Sequence, residues 1–257
     1  MGGSHAHGSS WPHASVTRVH RLPPECKVLA TVLFILAVVA TPREQIWALA
    51  AQAGVVLVVV GIARLPLRNF VRRLTIELPF VAFALFLPLL ARGDRVDVGP
   101  IALSSDGLWA AWNIVAKATI GVGMTLVLAA TTTTTDLVRG LERLRVPRVF
   151  TAIAGFMVRY LDIVRDEMRR MRIARESRGH DPRWFWHARA VAHGAGALFV
   201  RSYERGERVH LAMVSRGFDG RLPVAHVGTA ERRQWLDALA LPAVAAVLAS
   251  TAWVVAR

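Results

Sequence analysis

The chain has 257 residues, 54% of them hydrophobic, and a formal net charge of +14. A soluble fold seldom combines that much apolar character with that much charge. Apolar runs near the ~20 residues that cross a bilayer reconcile the two, with the basic residues gathered in loops on one side. A single cysteine, Cys26, excludes a disulfide framework and a cysteine-built metal site.

Residues 1–26 are polar and carry His5, His7, His13 and His20, the composition of a solvated tail. No small-residue cleavage pattern follows the first apolar run, so no cleavable signal peptide is expected. That run, Val28 to Thr41, is stopped by Pro42 and reads as a first span, with Pro23, Pro24 and Lys27 at its entrance. A second runs from Ile46 to Ala63. Arg64, Arg68, Arg72 and Arg73 follow at once, and the positive-inside rule puts that cluster, and with it the N-terminus, in the cytoplasm. A third span reads from Ile76 to Ala91, with Pro79 and Pro88 inside it and Glu77 at the interface. The connection from Arg92 to Gly107 holds a short alternation suited to a hairpin, and Ser104 or Ser105 can cap the next helix, which reaches Ala130. Mid-way along that fourth span sit Lys117 and, one turn earlier, Asn113. An ionisable group at such depth is a candidate intramembrane polar site, set against a structural role bonding to carbonyls of a neighbouring helix.

Beyond the threonine run 131–135 the pattern changes. Leu137, Leu141 and Leu144 form one stripe, read as a short amphipathic helix that starts near Asp136 and ends before Pro147. From Arg148 to Arg178, apolar residues recur at helical spacing while arginines and acids fill the other faces, giving one helix of ~30 residues and ~45 Å that is too charged to cross a bilayer. Pro182 and the aromatic patch Trp184-Phe185-Trp186 open a second long helix, which continues to Arg216. Gly194 and Gly196 mark either a break in it or a close helix crossing. A last span runs from Trp235 to Val255. The expected fold is an all-α integral membrane protein of about five transmembrane helices with a cytoplasmic insert. Its parts are a tail (1–26), four spans (27–130), a coupling domain (131–233) and a last span (234–257).

The two long helices end alike. Ala174 and Ser177-Arg178-Gly179 close the first, Ala212 and Ser215-Arg216-Gly217 the second, and Asp181 and Asp219 follow. One such end is ordinary capping, in which glycine takes the left-handed conformation and arginine faces the negative end of the helix dipole. Two matched copies in a membrane protein need something more than capping. An arginine at the tip of a rigid helix offers a planar, permanently charged fork, and glycine beside it lets another surface approach the backbone.

These paired ends resemble those of the transmembrane coupling (T) component of energy-coupling factor transporters, ATP-driven importers of micronutrients. Several stretches resemble its cobalt/nickel branch, the CbiQ-type proteins: residues 20–24 and 40–42, Leu103 to Leu108, Leu144-Arg145-Val146-Pro147, and Phe156-Met157-Val158-Arg159-Tyr160. The resemblance spans nearly the whole chain. It implies a non-catalytic subunit that joins two cytoplasmic ATPases to a substrate-binding membrane subunit for cobalt or nickel. It also implies residence in the cell membrane, with ATP bound only by the partner subunits. By position, Ser177, Arg178 and Gly179 would dock one ATPase and Ser215, Arg216 and Gly217 the other, with Ala174, Asp181, Ala212 and Asp219 in support. The family's usual first motif residue is alanine, and serine replaces it in both copies. A T component for a vitamin is the nearest alternative.

Readings of another class are weaker. The histidines at 180, 187, 193 and 210 lack ligand spacing or a partnered carboxylate, so neither a catalytic set nor a metal site is assigned, and no phosphate-cradling glycine loop is present. A membrane-embedded enzyme using Lys117 would need convergent polar groups that the spacing does not supply. A membrane-tethered nucleic-acid binder would need a continuous basic stripe, which Asp162, Asp166, Glu167, Glu204 and Glu207 interrupt.

Overall fold

The computed structural model describes residues 17–90, 95–98, 101–179, 188–218 and 230–256. They fall into two compact units, one within residues 1–146 and 229–257, the other within 147–228. In the first unit a single turn, α1 (Arg18–Arg21), leads into α2 (Pro24–Ala40), α3 (Ile46–Ile62) and α4 (Leu67–Leu74). A 3-10 turn, Thr75–Glu77, precedes α5 (Leu78–Leu90). Strands β1 (Arg95–Val98) and β2 (Ile101–Ser104) pair antiparallel with Val98 opposite Ile101, the hairpin suggested by the alternation and the exception to an all-helical chain among the described residues. Helices α6 (Ser105–Thr131), α7 (Thr134–Arg143) and α10 (Arg232–Val255) complete the unit.

Local chemistry explains the boundaries. Pro24 occupies the first turn of α2, where its missing N–H costs nothing, so the helix begins four residues before the apolar run. The Ser104 hydroxyl accepts from Gly107 N–H at the start of α6, and Thr133 accepts from Asp136 N–H at the start of α7. At α10, Glu231 and Gln234 form a reciprocal capping box, which carries the helix three residues ahead of Trp235. Pro79 has no N–H to extend an α-ladder backwards, and the chain before it is held in the tighter 3-10 turn.

Phe34 and Val38 of α2, Leu49, Val56 and Val60 of α3, Met124 and Val127 of α6, and Ala245 of α10 make one buried cluster. Gln52 is fully buried inside it, its amide donating to Thr41 Oγ1 (3.0 Å) and to the Ala245 carbonyl (3.3 Å), so the polar group is satisfied where water is excluded. Large apolar side chains such as Leu36, Leu57, Val58, Phe83, Leu85 and Val247 point outward, as a surface solvated by lipid requires. Among the described residues two helices, α6 (27 residues) and α10 (24 residues), are long and apolar enough to cross a membrane. At ~1.5 Å per residue, α2 and α3 reach ~25 Å and α5 ~20 Å, against a hydrocarbon core of ~30 Å. The expected five spans are therefore met by length in two.

The short amphipathic helix α7, placed by sequence with the coupling domain, packs instead against the start of α2 in the first unit. A Cβ at Gly140 would lie 3.0 Å from Pro24 C and Glu25 N, so any other residue would push the two backbones apart by a few tenths of an ångström. Arg143 then reaches Glu25, with Nη1 2.8 Å from Oε1. Glu77, expected at the interface, is buried, and its Oε1 accepts from Thr119 Oγ1 at 3.0 Å.

Candidate functional site

The second unit is built from α8 (Arg148–Glu176) and α9 (Ala188–Val214). Helix α9 continues without a break through Gly194 and Gly196, so the glycine pair is not a hinge in the helix. Gly194 is instead a place of close approach: a Cβ there would meet Arg175 Nη1 at 3.0 Å. Further along, Arg201 of α9 bonds to Glu167 of α8, and Glu167 also accepts from Arg170 at 2.8 Å. These hydrogen bonds, Arg170's first and then Arg201's, hold the Glu167 carboxyl below the usual carboxylate range. Beyond them Phe156, Tyr160 and Val164 face Ser202, Gly206, Val209 and Met213 across a groove of about 260 Å³. Numbers rise along one helix as they fall along the other, so α8 and α9 run antiparallel.

That polarity decides where the two matched ends lie. Both close the C-terminus of their helix, so the antiparallel pair holds them at opposite ends, separated by on the order of 40 Å for helices of this length. Each end has the same construction. Gly179 (φ 76°) and Gly217 (φ 83°) are left-handed. Gly179 N–H bonds to Glu176 O at 3.0 Å and Gly217 N–H to Val214 O at 2.9 Å; at the second tip Phe218 N–H also bonds back to Met213 O at 3.0 Å, completing a Schellman cap. The stop satisfies carbonyls of the last turn and leaves the side chain just before the glycine standing at the tip. Arg178 and Arg216 are exposed, and among the described residues neither guanidinium has an ion pair or hydrogen bond. Several acids of the unit are occupied within it instead: Asp162 by Arg165 at 3.6 Å, Glu176 by Arg172 at 2.8 Å, and Glu204 by Arg208 at 4.0 Å.

The serines of the two ends turn their hydroxyls back on their own helices. Ser177 Oγ donates to Ile173 O at 2.9 Å, and Ser215 Oγ donates to Ala212 O at 3.0 Å. Each therefore offers a partner little more than alanine's bulk. Ala174 and Ala212 are exposed on the same last turns. Asp181 and Asp219 lie outside the described residues.

Lys117 and Asn113 are not joined by a hydrogen bond. Lys117 Nζ donates to Val39 O at 2.8 Å, near the C-terminal end of α2, while Asn113 Oδ1 is buried with no partner among the described residues. A residue that sequence reasoning placed only at an entrance completes a symmetrical arrangement. Lys27 is buried and donates to Thr131 O (2.9 Å), the last residue of α6, and to His20 O (3.1 Å). The two lysines of the chain are thus exchanged, each helix supplying the ammonium that meets the other's C-terminal carbonyls and the negative end of its dipole. The available signal was their rarity among 32 basic residues. Among the described residues no cluster of three His, Cys, Asp or Glu side chains is placed to hold a metal ion.

Fold and tips together define a helical membrane protein carrying two exposed, equivalent arginine ends on a separate helical unit. The CbiQ family, cobalt transport protein, matches residues 15–225, and the chain belongs to it. It is 31% identical over 181 residues to the cobalt transport protein CbiQ of Rhodobacter capsulatus, covering 66% of this chain and 71% of that one. It is 24% identical over 232 residues to the energy-coupling factor transporter transmembrane protein EcfT of Listeria innocua, covering 85% and 84%. A putative fused cobalt transport protein CbiMQ of Methanocorpusculum labreanum is 26% identical over 167 residues, covering 62% of this chain and 28% of that protein.

Proposed function

We propose that this chain is the coupling subunit of an energy-coupling factor importer for cobalt or nickel, and that Arg178 and Arg216 each dock one of two cytoplasmic ATPases. The observation that carries this reading is the pair of tips: matching left-handed glycines, guanidiniums unengaged among the described residues, and an antiparallel frame that holds them far enough apart to serve two separate surfaces. ATP is bound and hydrolysed by the partners. As the ATPases close, they draw the two tips together and change the crossing of α8 and α9, which passes the motion to a substrate-binding membrane subunit. The N-terminus and the α3–α5 connection lie on the cytoplasmic side of the cell membrane. Names of relatives that refer to cobalt support the metal over a vitamin. A charge-assisted contact contributes ~1.5–3 kcal/mol, so losing one arginine weakens assembly about ten-fold or more. The test is copurification of the ATPases with Arg178→Ala, Arg216→Ala and the double variant, alongside metal uptake by cells. Stepwise loss supports the proposal. Unchanged copurification and uptake in the double variant refute it.

A further inference from the structure

The basic segment that follows α3 has no role in the docking account, and its geometry suits a different ligand. Helix α3 ends at Ile62 in a second kind of cap: Arg64, not glycine, takes the left-handed position (φ 51°), with Leu65 N–H bonding back to Val60 O at 3.1 Å. A side chain in that region costs about 1–2 kcal/mol relative to glycine. The chain uses glycine at Gly179 and Gly217 but holds an exposed arginine here. Three residues later α4 presents Arg68 and Arg72 one turn apart, both exposed. Among the described residues none of these three guanidiniums has an ion pair or hydrogen bond, and no acidic residue occurs between Arg64 and Ile76. Beside them Leu67 and Val71 are 60% and 61% exposed, while Phe70 is buried in the core. An eight-residue helix pinned through one phenylalanine, with arginines and bare aliphatic side chains outward, is the arrangement of a helix lying at a lipid interface. Its place in the chain agrees, since it joins two apolar helices whose outward faces are lipid-like.

We infer that Arg64, Arg68 and Arg72 form a binding surface for anionic phospholipid headgroups, with Leu67 and Val71 inserted among the acyl chains. Guanidinium forks match phosphate oxygens in pairs, and the absence of nearby acids leaves three positive charges for the ligand to neutralise. Each arginine near an anionic membrane surface strengthens binding about five-fold.

The full chain is reconstituted into bilayers of equal phosphatidylglycerol and phosphatidylcholine with matched acyl chains, extracted in mild detergent, and the lipids retained per protein are counted by native mass spectrometry. Wild type retains phosphatidylglycerol in excess. The triple variant R64Q/R68Q/R72Q loses that excess, by about five-fold per arginine, and R64K/R68K/R72K keeps most of it, which separates charge from folding. Neutralising Arg165, Arg169 and Arg172 on α8 to Gln leaves the excess intact. Unchanged enrichment in the α4 glutamine variant overturns the inference. So does displacement of the lipid by millimolar inorganic phosphate, which would make this a free-phosphate site. Because the readout contains no ATPase, it stands or falls independently of the docking proposal.

Discussion

Replacing Gly179 and Gly217 by alanine separates the conformational role of the two helix tips from the contact role proposed for them. A Cβ built at either position meets nothing within 4 Å, so the chain itself offers no clash. What remains is the backbone: at φ 76° and 83° a side chain costs about 1–2 kcal/mol. The protein already tolerates that cost twice, at Arg64 (φ 51°) and at Arg145 (φ 62°), which closes α7 in the same way. The alanine variants should therefore fold and should fray the last turn by about five- to thirty-fold, exposing the Gly179 and Gly217 amides, which are bonded to Glu176 O and Val214 O. Hydrogen exchange at those amides measures the fraying, and ATPase affinity of the purified chain measures its consequence. Asparagine, which tolerates the left-handed region better, should fall between glycine and alanine. If alanine and asparagine both lower affinity by a hundred-fold or more while exchange is unchanged, the partner packs directly on the glycine and the conformational reasoning is wrong.

Exchange of the two lysines gives a second prediction. Lys27→Met removes the ammonium from two buried-side carbonyls and should cost about 2–3 kcal/mol, whereas Lys117→Met, with one bond and more exposure, should cost about 1 kcal/mol. Thermal melting in detergent should rank them in that order, by about 2–4 °C per kcal/mol, and the reverse order would count against reciprocal capping. His20 gives a third. Burial, and then the charge of Lys27, lowers its pKa, so the folded chain favours the neutral ring. The contribution is fully present above the unfolded value of about 6.5 and is lost as pH falls through the lower folded value. Protection of the Arg21 amide, which bonds to Thr17 O, should fall, after correction for the intrinsic exchange rate at each pH, as pH is lowered below about 6.5, and His20→Gln should flatten that dependence.

What was legible in the sequence was whatever depends on near neighbours. Arg-Gly at the end of a long helical pattern announced both left-handed caps, and the alternation after Arg95 announced the hairpin. The helix read as starting near Asp136 begins two residues earlier, at Thr134, with Thr133 as its cap. Contacts that join distant segments were not readable. Lys27 and Thr131 are 104 residues apart, and nothing local to Lys27 reveals that α2 and α6 run antiparallel. Glu77 looked interfacial because its partner, Thr119, is 42 residues away. Gly194 left two readings open because a helix break and a close crossing ask the same thing of a residue, the absence of a Cβ; the unbroken run of α9 rules out the break. The same limit applied to α7, whose stripe marked an amphipathic helix but not the α2 surface it covers.

The claim that two equivalent tips each meet an ATPase is tested most directly by photo-crosslinking. A photoreactive residue is placed at Ser177 or at Ser215, both exposed and adjacent to the arginines, and the assembled transporter is irradiated in membranes. The account predicts that either position captures an ATPase subunit and that the doubly labelled chain captures two, with each product lost when the neighbouring Arg178 or Arg216 is replaced by alanine. Crosslinks only to lipid or to the chain itself from both positions, in a transporter that still hydrolyses ATP, would contradict it.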